Sequence, residues 1–442
     1  MKSKIAAIAI ASLVIGGCSK KEQPAVASGL TAKDLGSLSV VDVPSIPSGT
    51  FPITNYGAST SAADNASAIL AAINAAFNAG GGTVVVPSGT FVSGPLKLKN
   101  NVGLQLSSGT TLKVLAYASY PGAGGTADVA AFIDLGGIAN AKVSGPGTID
   151  GQGAAWWSAY NTSKANGAAI ARPAIIGVGG SASTLEISGI TIINAPNSHI
   201  GIGKNNNSVT VSGVTLSSPA TSPNTDGIDV WCTNVNITNC NISCGDDNIA
   251  INTNGKYVTV TGCTFGAGHG LSIGSYAANI DHVTVDNCTF NGTDNGIRIK
   301  SNRTRSGTVQ YLTYTNLTMT NVSNPFNLVE YYPDNTIPAS ASGDAAQTVT
   351  STTPVWKHIV FSNITVTGAD KAGTLWAVPE KAMTDLLFDN VKITATKGMT
   401  ANYVNGAAFT NGSKITVSSG NAFVSTYNST ITGINTTTGA AQ

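Results

Sequence analysis

An all-β, single-domain parallel β-helix with a short N-terminal capping helix is the fold class this sequence predicts, on three observations. One eight-residue frame recurs: apolar, any, apolar, any, Gly or Asn, apolar, any, apolar. Its successive centres, from Gly189 to Asn316, lie 24, 26, 23, 25 and 29 residues apart. Neither helical segments nor regularly spaced hairpin turns separate the copies, which argues against a propeller or a sandwich. Strands at this period that stack coil on coil, about 4.8 Å apart, make a parallel β-helix.

The elements follow in chain order. Met1-Lys2-Ser3-Lys4, an apolar run from Ile5 to Ile15 and Gly16-Gly17-Cys18 read as a secretory signal. The run is too short for a membrane span, which needs about 20 apolar residues. Ile15-Gly16-Gly17-Cys18 resembles a bacterial lipobox. That resemblance implies residues 1–18 as a lipoprotein-type signal peptide, a lipidated Cys18 and an exported protein held at the cell envelope. Ordinary cleavage beside an incidental cysteine is the alternative. Residues 19–47 read as a flexible tether and 48–442 as the β-helix. Within the latter, Asn65 to Ala79 carries Ile69, Leu70, Ile73 and Phe77 at helical spacing and ends at Gly80-Gly81-Gly82, as an end cap would.

Each frame alternates, so each predicts strands with one buried face. Val209-Thr-Val-Ser-Gly-Val-Thr-Leu216 and Val258-Thr-Val-Thr-Gly-Cys-Thr-Phe265 are typical. The central Gly or Asn tolerates left-handed backbone, so a copy is two short strands meeting at a sharp bend. Cys240, Cys263 and Cys288 share one slot and read as a buried apolar stack. With Cys232 and Cys244 they leave an odd number beyond Cys18 and form no CxxC pair, so a structural zinc site is not expected; the sequence allows one disulfide among the five after export and does not choose it. The segment from Asp334 to Pro354 breaks the spacing and reads as a long loop over one side of a groove.

Charge is scarce: 10% of residues, with 23 basic against 22 acidic and a net charge of +1. Soluble domains average about 25%. Disorder and a broad nucleic-acid-binding surface are both excluded by this balance. The few charges are concentrated. A second register runs through Asn224-Thr-Asp-Gly-Ile228, Gly245-Asp-Asp-Asn-Ile249, Gly268-His-Gly-Leu271 and Asp294-Asn-Gly-Ile297. Counted from the first strand apolar residue, Asp226, Asp247, His269 and Asn295 all occupy position minus two and should form one column. Asp246 stands beside it, and Arg298 and Lys300 project from the strand two coils on. Stacked carboxylates repel, so a metal, a proton or a function must offset the cost. Three acids and an imidazole suit inverting glycoside hydrolysis: one raised-pKa acid for the leaving oxygen and a base pair for water. The two cations suit an anionic substrate. A calcium site or a hydrogen-bonded Asp ladder is the competing reading.

These motifs carry a resemblance. Asn224-Thr225-Asp226, Gly245-Asp246-Asp247, Gly268-His269-Gly270 and Arg298-Ile299-Lys300, in this order, resemble the four signatures of the polygalacturonases, glycoside hydrolase family 28. The likeness runs from about Phe51-Pro52-Ile53-Thr54 to the late repeats. It implies a right-handed β-helix that hydrolyses α-1,4 bonds of galacturonan with inversion. It further implies Asp246 as general acid, Asp226 and Asp247 as activators of water, and His269 as support for the acid. Arg298, Lys300 and Asn224 would bind substrate, as would Tyr332, with Tyr331 as its rival. No cofactor and no metal is expected; the partner is polygalacturonate, an acidic polysaccharide, and the chain a monomer. Many members carry a cysteine after the Asp pair and another before the Gly-His-Gly; Asn248 and Phe265 stand there instead, so that disulfide is not expected. Rival functions are a related pectin-backbone hydrolase (exo-acting, or acting on xylogalacturonan or rhamnogalacturonan), a calcium-dependent pectate lyase and a non-catalytic glycan-binding β-helix. Trp156-Trp157, Trp231, His199, Lys256, Arg303 and Arg305 are each open between a place in the groove and a structural role.

Overall fold

Alternation does what it should in the frames: Val209, Val211 and Leu216 are buried, while Thr210 and Thr215 between them face outward. The bends fall at the central residue of each copy, with φ of 70° at Gly189, 60° at Gly213, 53° at Asn239, 66° at Gly262 and 52° at Asn287. This left-handed region is why only Gly and Asn occupy the slot. A computed structural model describes residues 41–442. The signal segment, Cys18 and most of the tether therefore lie outside the described residues.

The strands Ser183–Ser188, Asn207–Ser212, Thr233–Thr238, Lys256–Thr261 and Ile280–Asp286 pair in parallel, each with its counterpart one coil on. A third strand closes each coil: Ile200–Ile202, Ile228–Val230, Ile249–Ile251, Leu271–Ile273 and Asn295–Lys300, again parallel and in register. The result is a right-handed parallel β-helix. Its inside is one continuous apolar core in which equivalent residues stack, as in Phe265 on Phe290 at 4.7 Å and Phe388 on Phe409 at 4.5 Å. The cysteine slot stacks too. The Cys240 N–H reaches the Cys263 Sγ, and the Cys263 N–H the Cys288 Sγ, each at 3.4 Å. All five described cysteines are free and buried.

Helix α1 (Ala66–Asn78) lies over the first coils and buries Ile69, Ala72, Ile73 and Ala76. Phe77, expected on that face, is 41% exposed; two alanines take the inner positions and Phe77 lies under the Lys99 ammonium, 4.8 Å from its ring centroid. A second helix, α2 (Gly153–Ala165), has no counterpart among the sequence-based expectations. Only Gly153 and Trp156 of its residues are buried, so it carries no apolar stripe to read. Trp156 plugs its base between Tyr117 and Tyr120, at 4.9 and 5.6 Å, and the Trp157 Nε1–H donates to the Ala195 carbonyl. The pair anchors a helix and does not form a sugar platform.

The expected long loop is present. Between Val329 and Val355 the chain forms no strand. Its anchor is Arg303, which gives one ion pair to Glu380 at 2.6 Å and another to Asp344 at 2.5 Å. Arg303 is thus a structural cation, committed to holding the loop.

Candidate active site

Ile228, Ile249, Leu271 and Ile297 pair in succession, so Asp226, Asp247, His269 and Asn295 two residues earlier do occupy equivalent places on consecutive coils. The close approach of the next coil explains one glycine of the Gly-His-Gly segment. Gly270 has φ of 80°, and a Cβ there would run into the carbonyls of Asn295 and Gly296. Asn248 and Phe265 also find their purpose. The Asn248 amide donates to the carbonyls of Ile242 and Ala267 and accepts from the Gly270 N–H, a buried three-way tie between the Asp coil and the His coil. Hydrogen bonds thereby do the joining that a disulfide would otherwise do.

Asp247 is buried and fully met. Lys300 Nζ donates to its Oδ2 at 2.7 Å, Ser272 Oγ donates to its Oδ1 at 2.7 Å, and Arg298 stands 3.5 Å away. Asp246 is more open, with a 22% exposed side chain. His269 Nδ1 lies 3.1 Å from its Oδ1, and the Asn224 amide N–H donates to its Oδ2 at 3.3 Å. Asn224 is itself oriented by Arg172, whose guanidinium donates to the Asn224 Oδ1 at 2.9 Å and stacks on Tyr160 of α2. His269 reaches Asp294 on its far side, Nε2 to Oδ2, at 3.5 Å.

His199 settles into a supporting place. It is wholly buried, accepts from the Ser218 hydroxyl at Nε2 and donates through Nδ1 to the backbone carbonyl of Asp226. Burial lowers its pKa, so it stays neutral and fixes the Asp226 segment. Of the two tyrosines, Tyr331 turns away and donates to Asp344. The Tyr332 ring sits 5.3 Å from Lys300 Nζ and 5.8 Å from the Arg298 guanidinium. Lys256 opens a strand on another face of the coil and takes no part.

The sequence reading missed Asp229, Ser272, Arg172 and Asp294. Asp229 and Ser272 share the outward strand slot that Arg298 occupies, so the register already contained them. Arg172 lies outside every frame and left no signal.

Protons divide unevenly among the acids. Burial, then the charges of Asp229, Asp246 and Asp247, push Asp226 well above the usual carboxylate range. Burial likewise lifts Asp229 to about 6, against the Ser198 hydroxyl that donates to it at 2.6 Å. Burial also raises Asp246, but the His269 hydrogen bond and charge, with Lys300, outweigh it and leave the group lowered. His269 in turn is raised, chiefly by that same bond. In the free site, then, the Asp246–His269 pair carries its proton on the imidazole. The raised acid is Asp226, not Asp246: burial and Lys300 act on both, but only Asp246 has the His269 hydrogen bond and charge to outweigh the burial. Asp229→Asn removes one negative neighbour, so Asp226 loses its proton more readily. The acidic limb of kcat/KM against pH should move to lower pH; an unmoved limb would break the link between these two carboxylates.

Asp246, Asp247 and His269 could in principle share a cation, their ligand atoms lying within 4.8 Å of one another. Lys300 and Ser272 already occupy both oxygens of Asp247, however, so the lysine supplies the positive charge that a metal would.

The model of glycosyl hydrolases family 28 matches residues 78–413, the whole of this constellation included. The chain belongs to that family. An endo-polygalacturonase of Pectobacterium parmentieri is 31% identical over 330 residues, 69% of this chain and 78% of its own. An exopolygalacturonase of Zea mays is 30% identical over 362 residues, 78% and 84% of the two chains. Among solved structures, the polygalacturonase from Erwinia carotovora ssp. carotovora superposes with a TM-score of 0.70 at 29% identity, covering 84% of this chain and 99% of that one. This family 28 chain is accordingly a glycoside hydrolase, and its relatives include both endo- and exo-acting enzymes.

Proposed function

We propose that the chain is a polygalacturonase that hydrolyses the α-1,4-galacturonosidic bonds of de-esterified pectin with inversion at the anomeric carbon. The observation that carries this reading is the pairing of buried Lys300 and Arg298 with Asp247, the immediate chain neighbour of Asp246 in the Asp246–His269 couple. Cations held against the catalytic acids give a uronate carboxylate a place beside the reacting bond. The names of the endo- and exo-acting relatives support the same substrate.

Asp246 acts as general acid. A bound sugar covers its remaining exposure, and the loss of water disfavours the charged His269–Asp246 pair against the neutral one. The imidazole proton therefore shifts to Asp246 and from there to the leaving oxygen. Asp226 and Asp247, one coil apart in the column, hold and deprotonate the attacking water. Tyr332 and Arg298 hold the sugar, and Asn224, fixed by Arg172, aims Asp246. Polygalacturonic acid should yield new reducing ends without unsaturated products, and proton NMR of the first-formed anomer should show inversion; initial retention would refute the two-base assignment. Product sizing over time separates endo from exo action. Export and a lipid anchor at Cys18 complete the proposal: activity should sediment with membranes, and Cys18→Ser should release it.

A further inference from the structure

The opposite border of the strand face from the acid column carries a row of alternating cations and rings. Lys204, just past Ile200–Ile202, has its Nζ 5.6 Å from the Trp231 ring centroid. Trp231, just past Ile228–Val230, lies 5.6 Å from Tyr276, which follows Leu271–Ile273. The Arg305 guanidinium then bridges two rings, 5.3 Å from Tyr276 and 5.2 Å from Tyr332. Tyr332 closes the row against Lys300 and Arg298. Each coil in this stretch except that of Ile249–Ile251 thus adds a charge or a ring, and the row ends on the residues that hold Asp247.

Internal stability does not account for it. Exposed cation–π pairs contribute only about 0.5–1 kcal/mol each. Tyr276 is 49% exposed, although a large ring is normally covered when its role is packing. Its backbone is nonetheless held, by the Thr253 hydroxyl on its carbonyl. Lys204 and Arg305 have no carboxylate partner among the described residues, in a chain so short of charge, whereas Arg303 next door is spent on Glu380 and Asp344. The buried Arg305 Nε has no partner either.

We infer that Lys204, Trp231, Tyr276 and Arg305 form a binding rail for the acidic polysaccharide, the second wall of the groove facing the acid column. Unpaired cations would meet successive uronate carboxylates, and the rings would take the apolar faces of the sugars between them. From the coil of Lys204 to that of Tyr332 there are five coil steps, about 24 Å at the usual strand spacing. A short oligomer at Asp246 needs only the middle of that length, so the rail serves long chains. The inference rests on the polygalacturonase reading and extends it to the residues that select chain length.

The test compares Lys204→Gln and Tyr276→Ala with the parent enzyme on polygalacturonic acid and on trigalacturonic acid. Both side chains lie at the surface of the groove, so the fold should survive, and thermal unfolding checks this. On the polymer, KM should rise about threefold or more with kcat within about twofold, since the rail holds ground state and transition state equally. On the trimer, the Lys204→Gln enzyme should match the parent. Equal effects on both substrates, or an unchanged polymer KM, would overturn the rail. A lowered melting temperature with unchanged kinetics would instead make the row structural, which also overturns it. If the parent releases no reducing ends from polygalacturonic acid, it is the polygalacturonase reading that fails. The same variants bound to oligomers through the inactive Asp246→Asn background give the length dependence without turnover.

Discussion

Asp246→Asn should lower the rate on polygalacturonic acid by about 10²–10⁴-fold, the usual scale for losing a general acid. Folding and binding should be kept. The asparagine oxygen still accepts the Asp247 N–H that Asp246 Oδ1 accepts at 2.9 Å, and Lys300, Arg298 and Tyr332 are untouched. A second readout separates this role from a merely structural one. Asp246 is the first cause of the raised His269 pKa, so in the variant an NMR titration of His269 should move down toward the ordinary histidine value. A rate within tenfold of the parent, with His269 shifted as expected, would leave Asp246 a neighbour and not the acid.

Lys300→Met should be the most damaging change to stability near the site. Lys300 and Asp247 have side chains only 8% and 4% exposed and meet at 2.7 Å. Removing one partner leaves a buried carboxylate uncompensated, at a cost of about 3–5 kcal/mol, partly relieved by Ser272 and Arg298. Denaturant unfolding should show that loss, and turnover should fall with it. The double variant Lys300→Met/Asp247→Asn takes away both charges and should recover much of the stability while remaining inactive. If the double variant is no more stable than the single, the destabilisation comes from packing and not from the stranded charge.

Much of the fold was legible because a β-helix repeats its signal. Gly189, Gly213 and Asn239 mark bends at a fixed place in each frame, and the frames align the site residues without any structure. That is why Asp226, Asp247 and His269 could be put in one column from spacing alone. Single-copy features had no such redundancy. Helix α2 lacks an apolar stripe, and Arg172, which fixes Asn224 through it, sits in an irregular stretch. Proton placement was also beyond spacing. Three acids together suggested one raised group for the leaving oxygen, but the neighbours decide which: the His269 hydrogen bond and charge, with Lys300, hold Asp246 down, while burial and three nearby carboxylates lift Asp226 against Lys300. Asp229 and Ser272 were readable from the slot they share with Arg298, once that slot is followed around every coil.

The stacked architecture also sets where the molecule can come apart. In a repeat fold each coil leans only on its neighbours, so melting starts at an end and travels inward, much as a zipper opens. The far end is the looser one: Val424 is 67% exposed and Tyr427 42%, whereas helix α1 covers the first coils. The candidate acids sit on coils in the interior of the stack, with four coils beyond Asn295–Lys300 still to be lost. Terminal fraying can therefore proceed some way before the catalytic spacing is disturbed, and amide exchange along the chain should fall in a gradient from residue 430 toward the acids. Heat tolerance of activity and heat tolerance of the whole chain are, in this molecule, two separate quantities.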